Sequence, residues 1–276
     1  MDALRRIRTN VVDVMTRDGR YLRALTDGPH VSIIEVQQHS DTELDVRIVG
    51  RNGPRTLARV KKMLGTDIDL RGWYRRAKRR PWIEELAVRF RGVKPPRYPD
   101  LWEALCHSIV FQQLSIPAAA ATMQRMVEHF STPVEYFGTR LYPFPRPELL
   151  LGASTRELRE VGLSRMKSSY ILAAADAVSR GVVSARRIEL LSTKDATAVL
   201  CMMKGIGPWS AAVVLLRGFA RLDTFPLRDS GAARSTALLS GSRAVKIEAV
   251  LSDLGPVRGM LYFHLLLGAA HNSKQR

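Results

Sequence analysis

The sequence predicts an α+β protein: a small N-terminal antiparallel β-sheet with a helix and connector over residues 1–95, then an all-helical domain over residues 96–276. Three observations predict it. Val31 to Val36 and Leu44 to Val49 carry β-branched residues in partial alternation, parted by polar residues able to turn a hairpin. The stretch Lys94-Pro95-Pro96 with Tyr98-Pro99 resists helix continuation and stiffens the chain, which sets the boundary. From Trp102 onward helical spacing dominates, punctuated by Gly and Pro.

Taken in order, Leu57 to Leu64 changes to helical spacing after the strands, and a basic run from Arg71 to Arg80 leads to the connector. Ser115 followed by Pro117 has the look of a helix N-cap, because proline fits a first turn that needs no amide donor. Alanine-rich helices are expected over Ala118 to Met126 and Tyr170 to Val178, and a polar, proline-containing break over Ser131 to Pro147. A helix from Ser210 to Leu216 and a strongly apolar one from Val257 to Leu267 complete the domain, the last packing in its core. At 276 residues the chain can bury two such units.

The most telling stretch is Met203 to Asp229. Gly205-Ile206-Gly207 can form the tight turn of a helix-hairpin-helix, since glycine tolerates unusual torsions and its missing side chain lets a phosphate approach the amides. Pro208 suits the first position of the next helix, whose free N–H groups and positive dipole end face a bound anion. Lys204 beside the turn reads as a phosphate contact or a solvated charge. Composition agrees: 43 Lys and Arg against 26 Asp and Glu give a net charge of +17, the balance of a polyanion binder whose affinity falls with salt.

With its flanks, Trp209-Ser210-Ala211-Ala212, Asp223-Thr224-Phe225-Pro226 and Leu227-Arg228-Asp229, the hairpin resembles that of the helix-hairpin-helix (HhH-GPD) DNA glycosylases, most closely the 3-methyladenine DNA glycosylase II branch. Further blocks resemble the family in order: 63–74, Arg89 to Pro96, Ile109-Val110-Phe111-Gln112-Gln113-Leu114-Ser115, Gly162 to Lys167, and Pro256-Val257-Arg258. The resemblance implies a catalytic role for Asp229, where a carboxylate would stabilise positive charge developing on the deoxyribose. It also implies that one of Gln112, Gln113 and Leu114, Gln113 first and Leu114 second, fills the space left by a flipped base, with a hydrogen bond in the interdomain cleft as the alternative role for Gln112, and that an enzyme with Trp209 where strand-nicking relatives carry lysine is monofunctional.

Trp209 would then offer its face to an electron-poor base, with Tyr21 and Phe111 as further rings of the pocket. Val213, Ser230 and Leu254 replace aromatics that some members of the branch place there. The implied substrates are alkylated purines of the 3-methyladenine and 7-methylguanine type in double-stranded DNA. Deaminated or oxidised bases on the same scaffold remain an alternative, as does a non-catalytic DNA-binding protein, in which Asp229 would simply cap a helix.

Cys106 and Cys201 are the only cysteines, which excludes a disulfide framework and a cysteine-built zinc or iron–sulfur site. Six scattered histidines, His264 among them in an apolar helix, lack metal-ligand spacing. No metal or cofactor is therefore expected. With no run of ~18 apolar residues and no signal-like N-terminus, a cytosolic monomer is expected.

Overall fold

The computed structural model describes residues 10–40, 42–50 and 53–272. Strands β1 (Val14–Met15), β2 (Tyr21–Asp27), β3 (His30–Gln38) and β4 (Leu44–Val49) form a four-stranded antiparallel sheet in sequence order. Tyr21 faces Val36 and Ile34 faces Ile48 across it. Strand β2 lacks alternation because both its faces are covered. Tyr21 and Leu25 pack with Val60 and Met63 of α1 (Gly53–Leu64), whereas Leu22 and Ala24 pack with Tyr136 and Leu141. The latter pair comes from a second hairpin, β5 (Val134–Tyr136) and β6 (Thr139–Leu141). Thus the break expected over Ser131 to Pro147 contains strands, turned by Phe137 and Gly138, both at positive φ.

The helical body is built on α4 (Leu101–Val110), whose Ala104, Leu105, Cys106 and Ile109 are fully buried. Around it lie α5 (Ile116–Phe130), the short α6 (Pro147–Leu151) and α7 (Thr155–Glu160), and α8 (Arg165–Ser179). Then come α9 (Ala185–Leu190), α10 (Thr193–Cys201) and α11 (Pro208–Phe219). A second core joins helices from both sides of the connector. Trp73 of α2 (Arg71–Ala77) and Ile83 of α3 (Pro81–Arg89) pack with Ala232 of α12 (Ser230–Ser240), Leu251 of α13 (Ile247–Leu254) and Leu261 of α14 (Arg258–Asn272). Residues preceding the connector therefore contribute to two cores, one with the sheet and one with the C-terminal helices.

The sheet is joined to α4 by a buried ion cluster. Arg23, 1% exposed, donates from Nη1 to Asp13 at 2.5 Å and from Nη2 to the equally buried Glu103. One guanidinium thus serves two carboxylates. Burial pushes the Glu103 carboxyl up to about 7 against the pull of Arg23. Tyr21 belongs to this network, its hydroxyl donating to Asp13 at 2.6 Å.

His264 lies fully buried in the second core, its ring centroid 4.7 Å from that of Trp73 and Nδ1–H donating to the Met260 carbonyl. Burial pushes this imidazole down to about 4, against that hydrogen bond. Because the unfolded chain takes up the proton near ~6.5, the stability held by neutral His264 is complete above that pH and is lost as pH falls towards the folded value. The span corresponds to on the order of 3 kcal/mol. Replacing His264 by Phe should flatten the fall in melting temperature between pH 6.5 and 4.5 relative to the wild type, as measured by circular dichroism. The opposing contribution of Glu103, lost as pH rises towards 7, is common to both proteins and cancels. Equal slopes would rule this account out.

Candidate active site

The hairpin joins α10 to α11 through residues 202–207, held by the Ile206 amide donating to the Met203 carbonyl at 3.1 Å and by burial of the Ile206 side chain. The two glycines do different things. Gly205 has φ +83, and a Cβ there would lie 2.2 Å from the Tyr170 ring, so both torsion and space demand glycine. Gly207 has an ordinary φ of −99 and open space before it. The expectation that both glycines need forbidden torsions is corrected to Gly205 alone. Gly207 is the N-cap of α11 without a side-chain hydrogen bond, which leaves the amide end of the helix facing outward beside exposed Lys204 and Pro208.

Opening beside this helix end is a cavity of about 1320 Å³, large enough for a nucleoside. At its mouth Asp229 caps α12, Oδ1 accepting from the Ala232 amide at 2.7 Å. Its other oxygen is committed to the cavity wall: Oδ2 accepts from Trp209 Nε1 at 3.0 Å and from the Tyr262 hydroxyl at 2.9 Å. Cap and cavity-facing carboxylate are thus the same side chain. Arg228, immediately before it, is held at φ +62, a conformation that costs a non-glycine residue about 1 kcal/mol or more.

The other expected residues fall around this centre with one exception. Phe111, half-buried, lines the cavity, as do Gln112, Gln113 and Leu114. Gln112 is a strut: its Nε2 donates to the Gly205 carbonyl at 2.7 Å and to Ser210 Oγ at 2.8 Å. Gln113 is exposed at φ +53, and Leu114 is 41% exposed beside it. Lys167 supports this loop from α8, its Nζ donating to the carbonyls of Val110 and Gln112 at 2.8 and 2.7 Å, with burial lowering its pKa. Ser115 caps α5, accepting from the Ala118 amide. The exception is Tyr21. It is 1% exposed in the core between sheet and α1, its hydroxyl tied to Asp13, and it does not line the cavity.

Rings absent from the sequence expectation complete the wall. Tyr262 and Phe225 meet edge to face at 5.6 Å, and Phe263 lies alongside on α14. Their signal was hidden because α14 is apolar all round, so a wall-forming tyrosine looks like any other core residue. Val213 lines the cavity and Ser230 its rim, whereas Leu254 belongs to the second core. Asn10, Asp13, Tyr98, His107 and Arg217 also line the cavity. There the Tyr98 and His107 rings stack at 4.3 Å, and the Arg217 guanidinium sits over Tyr98 at 4.5 Å. Burial, with the Arg217 charge, pushes His107 down to about 3, so it is neutral.

Among the described residues no cluster of His, Cys, Asp or Glu could hold a metal ion, and no helix is long and apolar enough to cross a membrane.

Residues 106–256 match the family model of the HhH-GPD superfamily base excision DNA repair protein. The chain is 31% identical over 180 residues to a DNA-3-methyladenine glycosylase of Bacillus subtilis (strain 168), covering 65% of this chain and 59% of that relative, less than two thirds of its length. A 3-methyladenine DNA glycosylase structure from Archaeoglobus fulgidus superposes with a TM-score of 0.83 at 24% identity, covering 98% of this chain and 92% of that one. The Clostridium acetobutylicum 8-oxoguanine glycosylase/lyase bound to double-stranded DNA gives a TM-score of 0.80 at 18% identity, covering 99% and 92%. These two likenesses establish a common fold. With the family match running through α4, the hairpin, Asp229 and α13, more than half the chain, this protein belongs to the HhH-GPD superfamily.

Proposed function

We propose that the protein is a monofunctional DNA glycosylase that flips alkylated purines out of duplex DNA and releases them by hydrolysis. The observation that carries this reading is the Asp229 carboxylate, held by Trp209 and Tyr262 at the mouth of a nucleoside-sized aromatic cavity beside an open helix N-terminus. The name of the 31%-identical relative supports the choice of substrate. In the reaction the C1′–N bond breaks with its electron pair passing to the base, so an alkylated cationic purine leaves neutral. Positive charge grows on the sugar, and Asp229 stabilises it most in the transition state. Water then attacks C1′ and its proton is lost to the carboxylate or solvent.

The remaining roles follow from position. The backbone N–H groups of Gly205, Gly207 and Trp209, with Lys204 nearby, grip a phosphate. Gln113, backed by Leu114, enters the stack where the base has left, while Gln112 holds the loop from behind. Trp209 and Phe111 face the extruded base. Trp209 occupies the place where a strand-nicking enzyme carries its lysine, so no Schiff base forms and the sugar–phosphate chain stays intact. The protein acts as a monomer.

Asp229→Asn should keep DNA binding but lose base release by more than about a hundredfold in single-turnover assays, roughly 2.7 kcal/mol of barrier. An amide cannot replace the charge, and one of its ends donates where Trp209 and Tyr262 already donate. Turnover above a tenth of the wild type would reduce Asp229 to its capping role. Product strands should remain unbroken until heated in alkali; covalent trapping by borohydride would overturn the monofunctional reading. At the hairpin, Gly205→Ala should cost about 1–3 kcal/mol of stability through its torsion and Tyr170. Gly207→Asp should leave the melting temperature nearly unchanged while weakening binding to every duplex, damaged or not. Unchanged affinity of the folded Gly207→Asp protein at several salt concentrations would remove the phosphate grip.

A further inference from the structure

The segment that brings Asp229 to the cavity also brings two cations that the fold itself leaves unused. Arg228 and Arg234 both line the cavity and both are exposed, which places them on its rim. Arg228 is joined to Asp229 by a single peptide bond, so their Cα atoms lie about 3.8 Å apart. Arg234 follows Ser230 by four residues on α12 and so shares its helical face, and Ser230 lines the cavity too. Chain connectivity thus fixes both arginines beside the carboxylate.

Among the described residues neither guanidinium has a hydrogen-bond, ion-pair or ring partner. Nearby arginines are committed: Arg217 bonds the Pro96 carbonyl and sits over Tyr98, and Arg221 donates to the carbonyls of Ile188, Glu189 and Leu191. Asp229 pairs with neither rim arginine, because its oxygens are taken by the Ala232 amide, the Trp209 indole and the Tyr262 hydroxyl. Arg228 is moreover held at φ +62, a torsion that glycine would adopt freely and that a side chain occupies at a cost. No contact of its guanidinium within the described residues offsets that cost. A charged side chain kept at a strained torsion next to the reacting group, with its donors free, points to an anion from outside.

Resting on the glycosylase reading above, we infer that Arg228 and Arg234 form a second phosphate site, separate from the hairpin, which holds the phosphodiesters of the extruded nucleotide itself. A nucleotide carries a phosphate on either side of its sugar, so a sugar drawn to Asp229 brings those anions to the rim. A guanidinium meets a phosphate with parallel N–H donors. The hairpin grips any duplex through backbone amides, whereas this site is filled only once the nucleotide has left the stack. Its contribution therefore belongs to the flipped state.

The test is fluorescence-anisotropy titration of the wild type, Arg228→Gln and Arg234→Gln with duplexes holding one tetrahydrofuran abasic analogue. In companion duplexes the phosphate on its 5′ or its 3′ side is replaced by an uncharged methylphosphonate. Loss of either the cation or the matching phosphate charge should weaken binding about tenfold, and the two together should cost no more than one alone. Undamaged duplex should lose less than about threefold. Losses that multiply at both phosphates, or that are equal on undamaged duplex, would reduce the arginines to diffuse charge and overturn the site. Arg228→Gly, which relieves the torsion, should lose the same affinity with a melting temperature no lower than the wild type's; a lower one would make Arg228 a structural residue and overturn its role. The analogue has no base to release, so these readings do not depend on catalysis. Failure to release methylated bases with the phosphate coupling intact strikes the glycosylase reading, whereas release without the coupling strikes this site alone.

Discussion

The arrangement of the cleft depends on one buried cation. Arg23 comes from the sheet, Asp13 from the segment leading into it and Glu103 from the first turn of α4. A guanidinium taken out of water is costly, and only close carboxylates with good hydrogen bonds offset it. Two carboxylates around one guanidinium leave a surplus negative charge, which the protein relieves by raising Glu103 rather than Asp13. The sheet is thereby held against the helical body, and the same contact holds Asp13 in the wall of the cavity. Removing either carboxylate would leave a buried cation only half compensated, a change of several kcal/mol, and would free that wall at the same time.

Much of this was legible in the sequence because certain residues have few uses. A glycine pair followed by proline and tryptophan, with an aspartate twenty residues beyond Trp209, marks the hairpin and the capped helix on which the carboxylate sits. Strands β3 and β4 showed partial alternation, since their buried or half-buried positions alternate with more exposed ones. Strand β2 was silent because helix on one side and hairpin on the other bury five residues in a row. Tyr21 misled for the same reason: an aromatic in such a strand has two buried faces to choose from, and its hydroxyl found a carboxylate in the interior. Tyr262 was illegible because apolar neighbours on all sides of α14 hide which one meets a cavity.

Charge is distributed unevenly between surface and site. The excess of 17 positive charges is a long-range, salt-screened attraction without direction. Inside the cleft, direction comes from fixed groups in its lining: the carboxylates of Asp229 and Asp13, the Arg217 guanidinium, and His107, kept neutral by burial. The diffuse positive charge of the surface and the fixed charges of the cleft thus reside on different residues.

Gln112 gives the cleft a further property. Its side chain ties the 111–115 loop to the Gly205 carbonyl and to Ser210, while Lys167 ties the backbone of the same loop to α8. Loop and hairpin are therefore braced against each other like the jaws of a calliper. Two short hydrogen bonds from Gln112 join loop to hairpin, and two more from Lys167 brace the loop against α8. On the proposed reading, a backbone seated on one jaw would bring a fixed point of the duplex under the other, so that position along the strand is set by the distance between loop and hairpin, ahead of any recognition of the base itself.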